Sequence, residues 1–85
     1  MYIGEYQEDK RSGKGRYFDP EKDEIYEGEW ANDKKNGEGQ VIKRNGEVIS
    51  ADFRNDLMEG RQKYEKSLSK GEVQKYFNLA FKFTE

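Results

Sequence analysis

Apolar side chains fall at every second position in short runs separated by charge. Tyr2, Gly4 and Tyr6 form one such run, and Tyr26, Gly28 and Trp30 form another. Tyr17 and Val41 stand where a returning arm would bring them alongside. A period of two places these side chains on one face of an extended strand. Aromatic and β-branched residues suit that pleated surface. Between the arms lies a short polar segment ending in Gly13-Lys14-Gly15 or Gly37-Glu38-Gly39. Glycine supplies positive φ for a hairpin connection. Each unit therefore reads as a β-hairpin.

The unit repeats. Tyr2-Ile3-Gly4-Glu5-Tyr6 recurs as Tyr26-Glu27-Gly28-Glu29-Trp30, and more loosely as Ile49-Ser50-Ala51-Asp52-Phe53. The second arms match as well: residues 9–17, 33–41 and 56–64 align, the last of them carrying Gly60 and Tyr64. The spacing is 24 residues from Tyr2 to Tyr26 and 23 from Tyr26 to Ile49. The odd residue falls between hairpins, where the stretch 19–24 is one longer than its counterpart around Asn45-Gly46. Slippage in a connection, with constant spacing inside the unit, marks a structural repeat. The predicted fold is all-β: an elongated antiparallel sheet of three stacked hairpins at residues 2–18, 26–42 and 49–65.

Tyr-x-Gly-Glu-Trp followed by Asp/Asn-x-Lys-x-x-Gly-x-Gly resembles the MORN (membrane occupation and recognition nexus) repeat. Residues 26–46 match nearly the whole motif, and residues 2–17 match with Tyr6 in the Trp place. Residues 49–64 are degenerate: Ala51 replaces the first Gly, Asp52 the Glu and Gln62 the last Gly. A divergent last copy suits a capping repeat. The resemblance implies roles in cytoskeletal, ciliary or membrane-associated assemblies. It also brings lipid recognition, from which the family takes its name, and arrays that sit beside enzyme domains.

Residues 1–66 thus form three repeats and residues 67–85 a cap or tail. Phe77, Leu79, Phe81 and Phe83 alternate with polar or small residues, which predicts a further edge strand. Val73, Tyr76, Phe77, Ala80 and Phe81 fit an amphipathic helix equally in spacing, and periodicity alone does not arbitrate. The tail, through Tyr76, Phe77, Leu79, Phe81 and Phe83, is a candidate partner-binding segment. It would cover the aromatic face or pair with another chain.

Composition narrows the function. Of 85 residues, 40% are charged and 32% hydrophobic, near the range of disordered chains. The aromatics, 14% of the chain, sit at fixed repeat positions and argue for a thin folded sheet instead. So short a chain is marginal alone and gains from partners. The net charge of −2 lacks the basic excess of nucleic-acid modules, so no nucleic acid is expected. Cysteine and histidine are absent, which removes thiolate chemistry, the commonest general base and the commonest transition-metal ligand. No catalytic residue, metal ligand or cofactor is assigned, and no enzyme activity is expected. The amino-terminal stretch matches neither a signal nor a transit peptide. The expected location is the cytoplasm, with the cytoskeleton or cilium implied by the resemblance.

Candidate residues divide in two. Tyr2, Gly4, Tyr6, Gly13, Gly15, Tyr17, Tyr26, Gly28, Trp30, Gly37, Gly39, Val41, Phe53, Gly60 and Tyr64 are assigned to the repeat core, the aromatics stacking on one another as the sheet's only core. The glycine pairs lack the Lys-Ser/Thr of a phosphate loop. Glu5, Glu29 and Asp52 recur at one position, which argues for accepting hydrogen bonds rather than for acid–base chemistry. The acidic stretch from Asp19 to Glu24 reads as a solvated turn, not a calcium loop. Lys10, Arg11, Lys34 and Lys35 fall at equivalent hairpin tips as a two-repeat basic stripe, a candidate contact for a protein or an anionic lipid surface. At about 1 kcal/mol per basic residue, lipid contact would be weak. The function read from the sequence is a protein-interaction module or scaffold. Its partners are proteins, with self-association through an edge strand or the tail as a further expectation. Anionic phospholipid binding and a regulatory fragment of a larger enzyme are the alternatives.

Overall fold

The computed structural model of the chain describes residues 1–82, and the backbone alone at residue 61 and residues 79–82. Phe83 lies outside the described residues. Six strands run in chain order: β1 (Tyr2–Gln7), β2 (Lys10–Asp19), β3 (Glu24–Ala31), β4 (Lys34–Lys43), β5 (Glu47–Arg54) and β6 (Leu57–Ser67). They form one antiparallel sheet in the order β1-β2-β3-β4-β5-β6, and helix α1 (Lys70–Lys82) follows. The body is a thin slab of 36 × 35 × 19 Å.

The hairpin turns are tighter than the sequence reading placed them. Glu8-Asp9, Asn32-Asp33 and Asn55-Asp56 are the two central residues of each turn, and all six have φ between 50° and 71°. Two consecutive left-handed residues make a type I′ turn, whose twist matches that of the strands, and Asn and Asp tolerate the conformation. The Gly-x-Gly pairs are consequently not the connection. They lie inside β2 and β4. The connections between hairpins hold residues 20–23 in one case and 44–46 in the other, four against three, which accounts for the 24- and 23-residue spacings.

The register explains the glycines. Gly4, Gly15, Gly28, Gly39 and Ala51 pair in sequence across five strands, forming one row without large side chains. The bare row admits tyrosine rings. A methyl group at Gly15 would run into the Tyr2 ring, and one at Gly39 into the Tyr26 ring. Each ring lies along the sheet and its hydroxyl donates to the carbonyl three residues on, Tyr2 to Glu5 and Tyr26 to Glu29, both at 2.8 Å. Within each of the first two hairpins the ladder shifts at Glu5 and Glu29. There the carboxylate accepts the backbone N–H of Lys14 at 2.5 Å or Glu38 at 2.8 Å.

The sheet carries two cores, not one. Tyr26, Trp30, Val41, Ala51 and Phe53 are buried on one face, with Tyr2 and Tyr17 beside them. Phe18, Ile25, Ile42 and Val48 occupy the opposite face and are covered by Val73 and Phe77 of α1. The strand reading of the tail is therefore overturned, and so is its proposed cover of the aromatic face. Ser69-x-x-Glu72 decides the matter. Ser69 Oγ accepts the Glu72 N–H at 3.3 Å and the Glu72 carboxylate accepts the Ser69 N–H at 3.1 Å, a reciprocal capping box. Leu68 before the cap and Val73 after it join one cluster, the spacing of a hydrophobic staple.

Candidate interaction surface

On the aromatic face five rings form a perpendicular ladder. Tyr6–Tyr2, Tyr2–Trp30, Trp30–Tyr26 and Tyr26–Phe53 have centroids 5.1, 5.2, 5.2 and 5.0 Å apart, with planes between 79° and 89°. Edge-to-face contact suits the ring quadrupoles. The Trp30 indole N–H also donates to the Gly15 carbonyl at 3.2 Å. Two residues assigned to this core are not in it: Tyr6 is 61% exposed and Tyr64 57% exposed, whereas Trp30 is 4% exposed. Trp30 is enclosed by Tyr2 and Tyr17 of the preceding hairpin. Tyr6 on β1 and Tyr64 on β6 occupy the two edge strands, where no neighbouring strand supplies that cover. Gly13, Gly37 and Gly60 have φ of 69°, 107° and 69°, a region that favours glycine.

Half of the basic stripe has structural work. Arg11 Nε donates to Asp33 Oδ1 at 3.0 Å and its Nη2 to the Asp33 carbonyl at 2.7 Å. Its guanidinium stands 4.6 Å from the Trp30 ring centre. The same Asp33 oxygen accepts the Arg11 N–H at 2.8 Å, while Asp33 N–H donates to the Arg11 carbonyl at 3.1 Å. The stitch recurs one repeat on: Lys35 N–H donates to Asp56 Oδ1 at 2.7 Å and Asp56 N–H to the Lys35 carbonyl at 3.0 Å. Lys35 Nζ lies 5.0 Å from the Tyr26 ring centre and 5.7 Å from that of Phe53. The Arg11 amide, then its side chain, hold the Asp33 carboxyl below the usual carboxylate range. Burial, then neighbouring Lys22, lower the Lys35 ammonium. Burial, then the nearby Glu29 charge, push the Tyr26 hydroxyl up to about 12. Lys10 and Lys34 alone among the four are exposed.

The other face holds an open groove of about 940 Å³. Its floor is the backbone of Gly15, Gly28, Gly39 and Ala51. One wall is the paired row Ile3, Arg16, Glu27, Gln40, Ser50 and Lys63. The other carries Lys14, Glu29, Glu38 and Asp52. Its charged lining counts three cations (Lys14, Arg16, Lys63) against five carboxylates (Glu27, Glu29, Glu38, Asp52, Glu65). Arg16 pairs with Glu27, and Lys63 stands 4.0 Å from Glu65. Glu29 accepts the Glu38 amide and Glu65 the Ser50 hydroxyl, which leaves Glu38 and Asp52, both exposed, as the groove acids without a side-chain partner among the described residues. Arg16 also meets α1: its guanidinium lies 4.9 Å from the Tyr76 ring centre.

The groove and the second core were not read from the sequence. A signal was present. Tyr17-Phe18, Ile25-Tyr26, Val41-Ile42 and Val48-Ile49 are consecutive apolar pairs, and such a pair marks a strand covered on both faces. Within the tail, Phe77 is buried under Arg44, whose guanidinium sits 3.9 Å from its ring centre and chelates Asp23 at 2.8 and 2.9 Å. Tyr76 is half-buried. Phe77 is thus committed within the chain and not free for a partner. The side chains of Leu79 and Phe81 lie outside the described residues. Among the described residues no group of acidic side chains could hold a metal ion, and no helix is long and apolar enough to cross a membrane.

The family model for the MORN repeat matches residues 2–23 and 26–48. No curated protein matches the chain.

Proposed function

Because the chain belongs to the MORN repeat family, whose repeats occur in protein–protein and lipid-interaction modules, we propose that it is a non-catalytic docking module. In this reading it holds a segment of a partner protein in the groove opposite the aromatic ladder. The observation that supports this most is the wall chemistry: Glu38 and Asp52 are exposed and the groove's carboxylates outnumber its cations. The fitting ligand is a segment bearing Lys or Arg. The reading extends to a scaffold role in a cytoskeletal, ciliary or membrane-associated assembly, which is part of the proposal.

The lipid reading keeps less support, since Arg11 and Lys35 are engaged within the sheet. Two remaining lysines give about 2 kcal/mol of attraction at an anionic surface. The test compares two double variants. Glu38→Lys with Asp52→Lys reverses the groove, and Lys10→Glu with Lys34→Glu reverses the hairpin ends. Cross-linking from a photoreactive residue at Ser50 identifies the partner segment. Groove reversal is expected to abolish that cross-link, and end reversal to leave it. Flotation on anionic vesicles that is lost only in the end variant would replace this reading with lipid binding.

A further inference from the structure

Among the described residues, the large apolar side chains that remain exposed are Ile3, Tyr6, Leu57, Met58 and Tyr64. Ile3 and Tyr6 lie on β1, and the other three lie on β6. These are the two edges of the sheet. The buried strand residues under α1 come from β2 to β5, so neither edge owes its cover to the helix. Unpaired edges with apolar side chains are templates for strand addition.

The two edges also match each other by the rule that joins the hairpins. At the junctions β2–β3 and β4–β5 the pairing is free of bulges, with Tyr17 opposite Tyr26 and Gly13 opposite Trp30, then Val41 opposite Ile49 and Gly37 opposite Phe53. The same step carried past β6 sets Tyr64 opposite Tyr2 of a second molecule and Gly60 opposite its Tyr6. The stitch extends too. Asp33 and Asp56 each accept a strand amide from the preceding hairpin. Asp9 is their counterpart, with φ of 65° beside their 71° and 70°, and among the described residues nothing pairs with its carboxylate. The amide it would take belongs to Met58. A backbone N–H serves whatever side chain follows it, so the loss of a basic residue at that position does not break the stitch. Tyr6 would then lie among Ile49, Met58 and Tyr64, the places that Tyr2, Arg11 and Tyr17 hold around Trp30. Sulfur beside an aromatic edge is a favourable substitute.

We propose that this chain associates head to tail with copies of itself, the β1 edge of one molecule adding to the β6 edge of the next. The contact is heterologous, so it propagates as an open series rather than closing as a two-fold dimer. An interface one short strand long falls well below the roughly 1,600 Å² of a standard interface, so association is weak and concentration-dependent.

Sedimentation velocity across a concentration series tests this, with Tyr6→Lys and Tyr64→Lys as blocked edges. Both sites are exposed, and circular dichroism checks that each variant keeps the fold. The wild type is expected to shift to dimers and longer species as concentration rises. Each variant alone stays monomeric, and the mixture of the two stops at a one-to-one dimer, because each supplies the edge the other lacks. The chain has no cysteine, so the double variant Asp9→Cys, Met58→Cys gives an independent reading: oxidation yields a ladder of covalent oligomers. A wild type that is monomeric throughout, a blocked variant that still dimerises, or a cysteine variant that remains monomeric or closes as a dimer overturns the proposal. The blocked sites lie outside the groove, so this outcome is separate from that of the docking test.

Discussion

The indole of Trp30 meets the Tyr2 ring edge-on, with centroids 5.2 Å apart and planes at 84°, although the two residues belong to different hairpins. Tyr26 and Phe53 repeat the relationship one hairpin on, at 5.0 Å and 82°. The rings couple the repeats. Trp30→Ala is expected to cost about 3–5 kcal/mol, while Tyr6→Ala at the exposed end costs within about 0.5 kcal/mol. A double-mutant cycle between Tyr2 and Trp30 is expected to give a coupling of about 0.5–1.5 kcal/mol. Urea unfolding followed by circular dichroism measures all three. Zero coupling would remove the ladder as a source of stability.

Glycine row and glycine bend should respond differently to one methyl group. At Gly39 the added carbon enters the Tyr26 ring, whose hydroxyl is fixed on Glu29. Gly39→Ala is expected to cost about 1–3 kcal/mol as overpacking. At Gly60, among the described residues and leaving out its chain neighbours, nothing lies within 4 Å of an added carbon, and the backbone φ of +69° opposes a side chain, worth about 1–2 kcal/mol. Replacing Gly60 by Asn, which tolerates left-handed φ, should restore most of the loss there. At Gly39 the same replacement should be worse than alanine. Equal rescue at both sites would contradict the ring-over-glycine geometry.

Two titrations carry signs. Asp33 and Asp23 have folded pKa values below the ordinary 3.8, through hydrogen bonds from Arg11 and Arg44. The unfolded chain binds those protons more readily, so their stabilisation is present above the ordinary carboxylate pKa and disappears as pH falls through the lower folded values. The melting temperature should drop steeply below about pH 4, and less steeply in Asp33→Asn. Tyr26 behaves oppositely. Its folded pKa, raised to about 12 from 10.0, contributes stability below the unfolded value that is lost as pH rises through the folded one. An alkaline absorbance titration should show a late tyrosine step that Tyr26→Phe removes.

Removing the helix contact tests how the second face is closed. Phe77→Ala is expected to destabilise by about 3–5 kcal/mol, while Asn78→Ala, on an exposed position, changes little. Ser69→Ala breaks the capping box at a cost of about 1 kcal/mol. Thermal melts rank the three. If Asn78→Ala cost as much as Phe77→Ala, the helix would not pack through the face described.

Hairpins, repeat spacing and the fully buried positions Tyr26 and Trp30 were legible because period-two alternation and a fixed repeat dictate them. The turn positions were not. The conspicuous glycines drew the connection toward Gly13 and Gly37, whereas Asp9, Asn32 and Asp33 adopt left-handed φ without glycine. Tyr6 and Tyr64 carry the same residue type as buried neighbours, and only their place on an edge strand distinguishes them. The tail's alternation and its helical spacing are both present between residues 73 and 81. The cap at Ser69 and Glu72 separates them, four residues before the pattern begins. The groove was hidden because its walls are ordinary charged residues until cross-strand register sets them in rows.

Among the described residues every strand pairs with its neighbours in the chain and with no others. The sheet therefore assembles without closing a long loop, and each hairpin can zip as soon as its turn has formed. Low contact order of this kind favours rapid folding. The exception is α1, whose Val73 and Phe77 must reach back to Phe18 and Ile25 across most of the chain. Its docking is the non-local step. Amide exchange should accordingly be slowest in β3 and β4, and the helix should open before the strands it covers.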